Sequence, residues 1–310
     1  MLWLFFTIAA YLLLAIPALI EKYLLAKTVA SPQILTFYVG VLGMLGFLLV
    51  PWVGFSIPDV PQILLSMGAG AAFSVSLLIF FRGLRLFETS RLVPAIGALV
   101  PLFMFVFLFL VLREETLISF SKVFSFALLV GGTFLISREQ GKHIHGKSFW
   151  YAFWSGLFFA ISFVMTKFVY LSQPFWTGFL LIRVGSFLVS VFLLLVSREV
   201  RNEILGRGQK GSSVSFWEMP KTYAVFLVGQ GAAALGEVMR NLAVFWVPLA
   251  MLPFIHALQG VQYVFLFFAV IVLSAAFPRI LKEEMSKRSV FERVFAIVLI
   301  SGGLALLALQ

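Results

Sequence analysis

The sequence contains no cysteine. That excludes disulfides, thiolate metal sites and cysteine nucleophiles, and it leaves the redox compartment open. Charge is scarce too: Asp, Glu, Lys and Arg make up 12% of the 310 residues, against about a quarter in a soluble chain. Of the three histidines, two form the run His143-Ile144-His145. Without further ligands beside them, these two read as part of a solvated loop and not as a metal centre. Neither H-E-x-x-H nor the phosphate-binding G-x-x-x-x-G-K-[ST] occurs, so no ATP-driven cycle is expected from this chain alone. Glu114-Glu115 and Glu283-Glu284 read as helix-end charges, since nothing in the sequence buries them as an acid/base pair. No convergent catalytic set is present. The expectation is a protein that is not an enzyme and carries no cofactor.

What is abundant is apolar surface. Hydrophobic residues make up 62% of the chain, and 37 residues are phenylalanine. No soluble core can hide that much, so the natural solvent is lipid. A spanning helix needs about 20 mostly apolar residues. Runs bounded by charge, Pro or Gly place spans at 2–24, 33–52, 62–86, 92–112, 119–137, 148–171, 174–196, 221–245, 248–276 and 290–309. Hydrocarbon demands closed backbone hydrogen bonding, so each run is read as helix; the alternating segments of a barrel are absent. The first twenty residues lack a basic n-region and an A-x-A-like cleavage site, and read as a retained first helix. Residues 197–220 are polar, basic and glycine-containing, and read as a mobile loop with Trp217 near the interface.

The net charge of +10 belongs to the connections and not to a nucleic-acid-binding face. Of the 23 Lys and Arg, Arg113 and Lys122 fall in even-numbered connections, and Lys167, Arg183 and Arg240 lie in or near spans. All the others lie in or beside odd-numbered connections. Basic loops stay in the cytoplasm. This bias places the odd connections there and both termini outside, in a multi-pass protein of the cytoplasmic membrane.

The chain also repeats itself. Pro94-Ala95-Ile96-Gly97-Ala98-Leu99 recurs as Pro253-Phe254-Ile255-His256-Ala257-Leu258, and Leu112-Arg113-Glu114-Glu115 as Leu281-Lys282-Glu283-Glu284. Arg82-Gly83-Leu84 matches Arg240-Asn241-Leu242, and Gly131-Gly132 matches Gly302-Gly303. Ala15-Ile16 with Lys22 matches Ala160-Ile161 with Lys167, after which Pro32 and Pro174 open the next helix of each half. The matches run in the same order through residues 1–137 and 148–310. Five spans per half is an odd number, so the second half enters the membrane from the opposite side. The expected fold is all-α and polytopic: ten transmembrane helices in two inverted five-helix repeats. Such repeats place a solute site near the midplane between them.

The run from Leu84 to Ser137 resembles the EamA-type module of the drug/metabolite transporter superfamily. Pro101-Leu102, Glu115 and Gly131-Gly132 carry the likeness, and Glu284, Gly302 and Gly303 mark a more diverged second copy. Arg183 resembles an arginine that such modules often carry early in their second helix. The resemblance spans nearly the whole chain. It implies ten helices, two fused repeats and the movement of small metabolites. The chain departs from the pattern where Gly260 stands as counterpart to Pro101. It departs again in its charge bias, which opposes the family's usual cytoplasmic termini.

Polar groups inside spans are costly and mark sites. His256, Gln259 and Tyr263 stand at i, i+3 and i+7, on one face of a continuous helix, and are candidates to line a solute cavity; interhelical hydrogen bonding is the plainer reading. Gln230, Glu237 and Asn241 share a face of the preceding span. Glu237 is a candidate proton-coupling carboxylate, or else a static partner of Arg240. Arg183 is a candidate for an anionic group. Gly229, Gly231, Ala232, Ala233, Ala234 and Gly236 thin the same span for close packing. Pro17, Pro94, Pro101, Pro248 and Pro253 are expected to interrupt helices, and Lys22 and Lys167 to snorkel towards the interface. The leading expectation is a secondary active transporter of a small solute working by alternating access, needing no nucleic acid and no second copy. The alternative is a lipid-flipping or lipid-processing membrane protein.

Overall fold

Each apolar run is helical, because a chain in hydrocarbon has no other donor or acceptor for its amides than itself. The structure, a computed structural model, describes residues 2–24, 31–87, 89–112, 120–137, 146–204, 220–276 and 287–308. His143, His145, Glu114, Glu115, Trp217, Glu283 and Glu284 lie outside these, and so do the side chains of Lys22 and Gln230. The helices are α1 Leu2–Leu24, α2 Pro32–Gly43, α3 Val50–Val53, α4 Val60–Leu86, α5 Thr89–Leu112, α6 Phe120–Ser137, α7 Gly146–Ser172, α8 Phe175–Val196, α9 Arg198–Ile204, α10 Pro220–Trp246, α11 Leu252–Ala257, α12 Gly260–Ala276 and α13 Lys287–Ala308. No strand occurs among the described residues.

Among these residues, five helical segments are long and apolar enough to cross a membrane: Pro32–Val53, Val60–Leu86, Lys147–Ser172, Phe175–Val196 and Leu249–Leu266. Shorter apolar stretches are Leu2–Pro17, Ala95–Val111, Phe120–Leu135 and Val294–Leu306. Large apolar side chains such as Trp52, Phe120, Leu195 and Phe291 stand exposed on the outer surface. The all-α class expected from the sequence is the class observed, and it is that of a helical membrane protein.

Three expectations need correction. Residues 33–52 do not form one uniform helix: a 3-10 segment, Met44–Leu49, separates α2 from α3. Pro51 has no amide to give the Phe47 carbonyl, which accepts from Val50 instead. Residues 248–276 are also divided, into a 3-10 turn at Leu249–Met251, then α11 and α12. Finally, the segment 197–220 opens with the helix α9 and not with loop. Val200 is buried there, and the Arg201 guanidinium donates to the Leu195 carbonyl. Prolines act mainly as starters. Pro32, Pro61 and Pro253 stand in the first turns of α2, α4 and α11, where a missing amide costs nothing. Pro17, Pro94 and Pro101 sit inside α1 and α5 without ending them.

The most extensive helix pairs are α1 on α10, α4 on α7, α6 on α13, α4 on α8 and α5 on α7, followed by α2 on α8. Each joins an element before residue 138 to one after 145. Small residues set their spacing. A Cβ on Gly185 of α8 would fall on the Met67 backbone, and one on Gly70 of α4 would fall on the Ile182 carbonyl. Hydroxyls stitch the same seams. Ser186 donates to the Gly70 carbonyl at 3.0 Å, Ser162 to that of Ala69 at 2.8 Å and Ser125 to that of Gly303 at 2.6 Å. Interhelical hydrogen bonds in membranes are worth about 0.6 kcal/mol on average, whereas overpacking costs about 1–3 kcal/mol. Shape at the glycines therefore outweighs the hydroxyls.

Gly185→Leu or Gly70→Leu should accordingly lower the thermal unfolding temperature in detergent and broaden the size-exclusion profile. Gly131→Ala and Gly231→Ala, where nothing lies within 4 Å of the added carbon, should be neutral or stabilise by up to about 1 kcal/mol through helix propensity. Equal behaviour of the two sets would remove close packing as the reason for these glycines.

Candidate solute-binding cleft

Two helix ends show how the interior is kept satisfied. At the end of α10, Pro248 has no amide to give the Val244 carbonyl. The Lys167 ammonium, on α7, donates to it at 3.1 Å and to the Phe245 carbonyl at 3.0 Å. Lys167 is 2% exposed, so it does not snorkel to the interface: its charge is spent on these two backbone carbonyls. The second case is the break between α11 and α12 at Leu258-Gln259. Here the amides of Gln259 and Val261 bond three residues back, to the carbonyls of His256 and Leu258. This tighter turn leaves the Ile255 and Ala257 carbonyls free. Tyr11 of α1 donates to the first at 2.9 Å and Thr133 of α6 to the second at 3.1 Å.

Between these fixed ends lies a small, partly open cleft. It is lined by Phe73 of α4, by Ser162, Phe163 and Thr166 of α7, by Ile182 and Arg183 of α8, and by Glu237, Arg240, Asn241 and Val244 of α10. Phe73, Ser162, Arg183 and Glu237 all fall in the middle third of their helices. The cleft is thus at mid-depth in the bundle. Arg240 meets Glu237 one turn earlier on α10, at 2.8 and 2.9 Å to its two carboxylate oxygens. Arg183 approaches the same carboxylate from α8 at 3.7 Å, an ion pair too long for a hydrogen bond. The Arg183 guanidinium lies over the Phe179 ring at 4.7 Å, and that of Arg240 over Phe163 at 5.2 Å. Asn241 is engaged through both of its polar atoms: its side-chain carbonyl accepts from the Tyr170 hydroxyl at 2.8 Å and its amide donates to the Glu237 backbone carbonyl at 2.9 Å.

Of the residues singled out from the sequence, Glu237, Asn241 and Arg183 come together here. His256, Gln259 and Tyr263 do not share a face, because the helix they were expected to occupy breaks between the first and the second. His256 is buried behind the cleft, its ring 3.9 Å from that of Phe163, and its Nε2 has no hydrogen-bond partner among the described residues. Gln259 donates to the Tyr263 hydroxyl at 3.2 Å and faces Gly97 of α5. The Glu237–Arg240 pair expected as a static contact is formed, and Arg183 turns it into a three-charge cluster. Sequence reading passed over Ser162 and Thr166. Their i, i+4 spacing on α7 was the available signal, but hydroxyls are common in spanning helices and do not stand out.

At one end the cleft is sealed. The rings of Tyr170, Phe175 and Phe245 pack with centroids 5.3 to 5.9 Å apart, over the Lys167 contact. The side-chain contacts that join α10 to α7 and α8 among the described residues fall at Glu237 and beyond, towards this end.

Lys167→Met keeps the stem and removes the ammonium, leaving buried carbonyls unmet at about 1–3 kcal/mol. A drop of several degrees in the unfolding temperature in detergent is expected; an unchanged value would show that these carbonyls find water instead.

The fold is shared with a solved crystal structure described only as that of a protein. The match covers 98% of this chain and 96% of that one, with a TM-score of 0.69 and 16% sequence identity. At that identity the likeness shows the fold alone. No family model matches the sequence, and neither does any curated protein.

Proposed function

We propose that this chain is a secondary active transporter of the drug/metabolite type, which moves a small solute across the cytoplasmic membrane by alternating access. The observation that carries the reading is the Arg183–Glu237–Arg240 cluster facing a cleft at mid-depth in an otherwise apolar bundle. A purely structural interior has no use for three charges there, since each costs several kcal/mol to bury.

In this reading ten spans form two inverted repeats, 1–137 and 148–310, and the helix pairing supports it. Under the sequence correspondence α1 maps to α7 and α4 to α10, so the pair α1 on α10 maps to α7 on α4, and both are close. The pairs α6 on α13 and α2 on α8 map onto themselves. The matched glycines agree: a Cβ on Gly132 would meet Ala296 and Ile300 of α13, and one on Gly303 would meet Ser125 and Leu129 of α6. The symmetry is incomplete: α5 on α7 is more extensive than its counterpart α1 on α12 among the described residues. The close packing of α4 on α8 has no equally extensive counterpart between α10 and α2 among the described residues. An inverted-repeat carrier resting in one of its two access states has this asymmetry. The sealed end is the Gln173-Pro174 side. The opening then faces the basic connections, which the charge bias assigns to the cytoplasm.

Because the chain has no cysteine, Ser162→Cys would place a single thiol in the cleft. We expect it to react with a membrane-impermeant maleimide from the cytoplasmic face of oriented vesicles, and transported solute to slow the reaction. A thiol unreactive from both faces would mean a dry interior and would end the carrier reading.

Glu237 is the coupling carboxylate of this scheme. A protonated Glu237 releases both arginines, and an ionised one holds them. In proteoliposomes, an imposed pH gradient should drive accumulation by the wild type. Glu237→Gln should still exchange solute but lose that drive. If the variant retains the pH response, the coupling lies elsewhere.

A further inference from the structure

We propose that the solute held in this cleft is a small organic anion, its acidic group bound by Arg183 and its apolar body lying against Phe73, Phe163, Ile182 and Val244, with Glu237 as its internal competitor. The inference rests on the carrier reading for its biological sense, but the binding chemistry can be tested without any transport.

The charge count comes first. Two guanidinium groups and one carboxylate line the cleft, so it carries one positive charge in excess when Glu237 is ionised. No further acidic side chain lines it among the described residues. Lys167, nearby on α7, spends its ammonium on carbonyls, which leave its charge uncancelled. An organic cation would find Glu237 already held by two arginines and would face their repulsion. An anion meets the opposite field.

Donor geometry makes the same choice. Both oxygens of Glu237 are taken by Arg240, so Arg183 is left with one long ion pair. Among the described residues it makes no hydrogen bond, although its side chain is only 16% exposed. A guanidinium has five donors in a fixed fork that matches the paired oxygens of a carboxylate or phosphoryl group. The arginine is also held in place: its stem runs past Gly43 of α2, where an added Cβ would lie 3.3 Å away, and its head rests on Phe179. A positioned fork without an acceptor is a site prepared for one. Thr166 adds a hydroxyl that has no partner among the described residues, whereas Ser162 already donates to Ala69.

The apolar part follows from the remaining wall. Phe73, Phe163, Ile182 and Val244 offer no hydrogen-bonding group, so a fully polar solute would leave its own groups unmet against them. A compact acid bearing a short alkyl or aryl body satisfies both sides of the cleft.

The experiment uses purified protein in a neutral detergent, with binding read from the saturable shift of the unfolding temperature. The probes are phenylacetate, phenyl phosphate, phenylacetamide, phenethylamine and a short-chain phosphatidylglycerol. We expect one or both soluble acids to bind, and the neutral amide and the amine to bind at least about tenfold more weakly, which corresponds to one charge-assisted contact. Arg183→Gln should weaken acid binding by a similar factor and Arg183→Lys should recover part of it. Glu237→Gln should tighten acid binding several-fold, because the competing carboxylate is gone. This opposite sign keeps the test open if Arg183→Gln does not fold. Preferential binding of phenethylamine, or acid binding that Arg183→Gln leaves unchanged, would overturn the proposal. So would stabilisation by phosphatidylglycerol with both soluble acids inert, which would make the occupant a lipid headgroup. Acid binding without flux in proteoliposomes would retain the site and remove the carrier reading. Flux of the amide or amine, unaffected by Arg183→Gln, would do the reverse.

Discussion

A backbone carbonyl that loses its helical partner inside a membrane has no water to turn to, and the interior of this protein is arranged around that fact. At two places where a helix ends or breaks at depth, a side chain from another helix supplies the missing donor. Lys167 does so at the proline-terminated end of α10, and Tyr11 and Thr133 do so at the break between α11 and α12. Each of these donors also ties two elements together, so the need to satisfy the backbone becomes a source of tertiary order. The break in turn decides where His256 and Gln259 go. One ring is sent behind the cleft against Phe163, and one amide is sent towards Gly97.

The cleft is where the same rule is applied to charge. Arg240 and Glu237 are one turn apart on α10 and would pair on an isolated helix. Arg183 arrives from α8 only because Gly70 and Gly185 let α4 and α8 meet backbone to backbone, which fixes the depth of α8 in the bundle. Its approach leaves the carboxylate shared unequally, with one arginine satisfied and the other waiting. Ring packing of Tyr170, Phe175 and Phe245 closes off one end beside this unequal triad.

Much of the fold was legible in the sequence. The apolar runs located the helices, since chain length in hydrocarbon admits no other conformation. Pro32 marked the first turn of α2, whereas Pro253, expected to interrupt a helix, starts α11. The divisions at Met44–Leu49 and at Leu258-Gln259 were less visible. The first traces to Pro51 beside a run that reads as continuous helix. The second contains no proline at all, and depends on donors from α1 and α6 that are more than 120 residues away along the chain.

For the site, composition and spacing by themselves determined that charges at 183, 237 and 240 lie within apolar helices and so need partners. They also determined that Glu237 and Arg240 stand within one turn of each other. Tertiary structure alone decided that Arg183 joins them, that Lys167 is consumed by carbonyls, and that His256 is walled off by Phe163. Helical periodicity fixes which residues share a face of one helix. Which faces of different helices meet is set by where small residues permit close approach, and that is a property of the packed bundle.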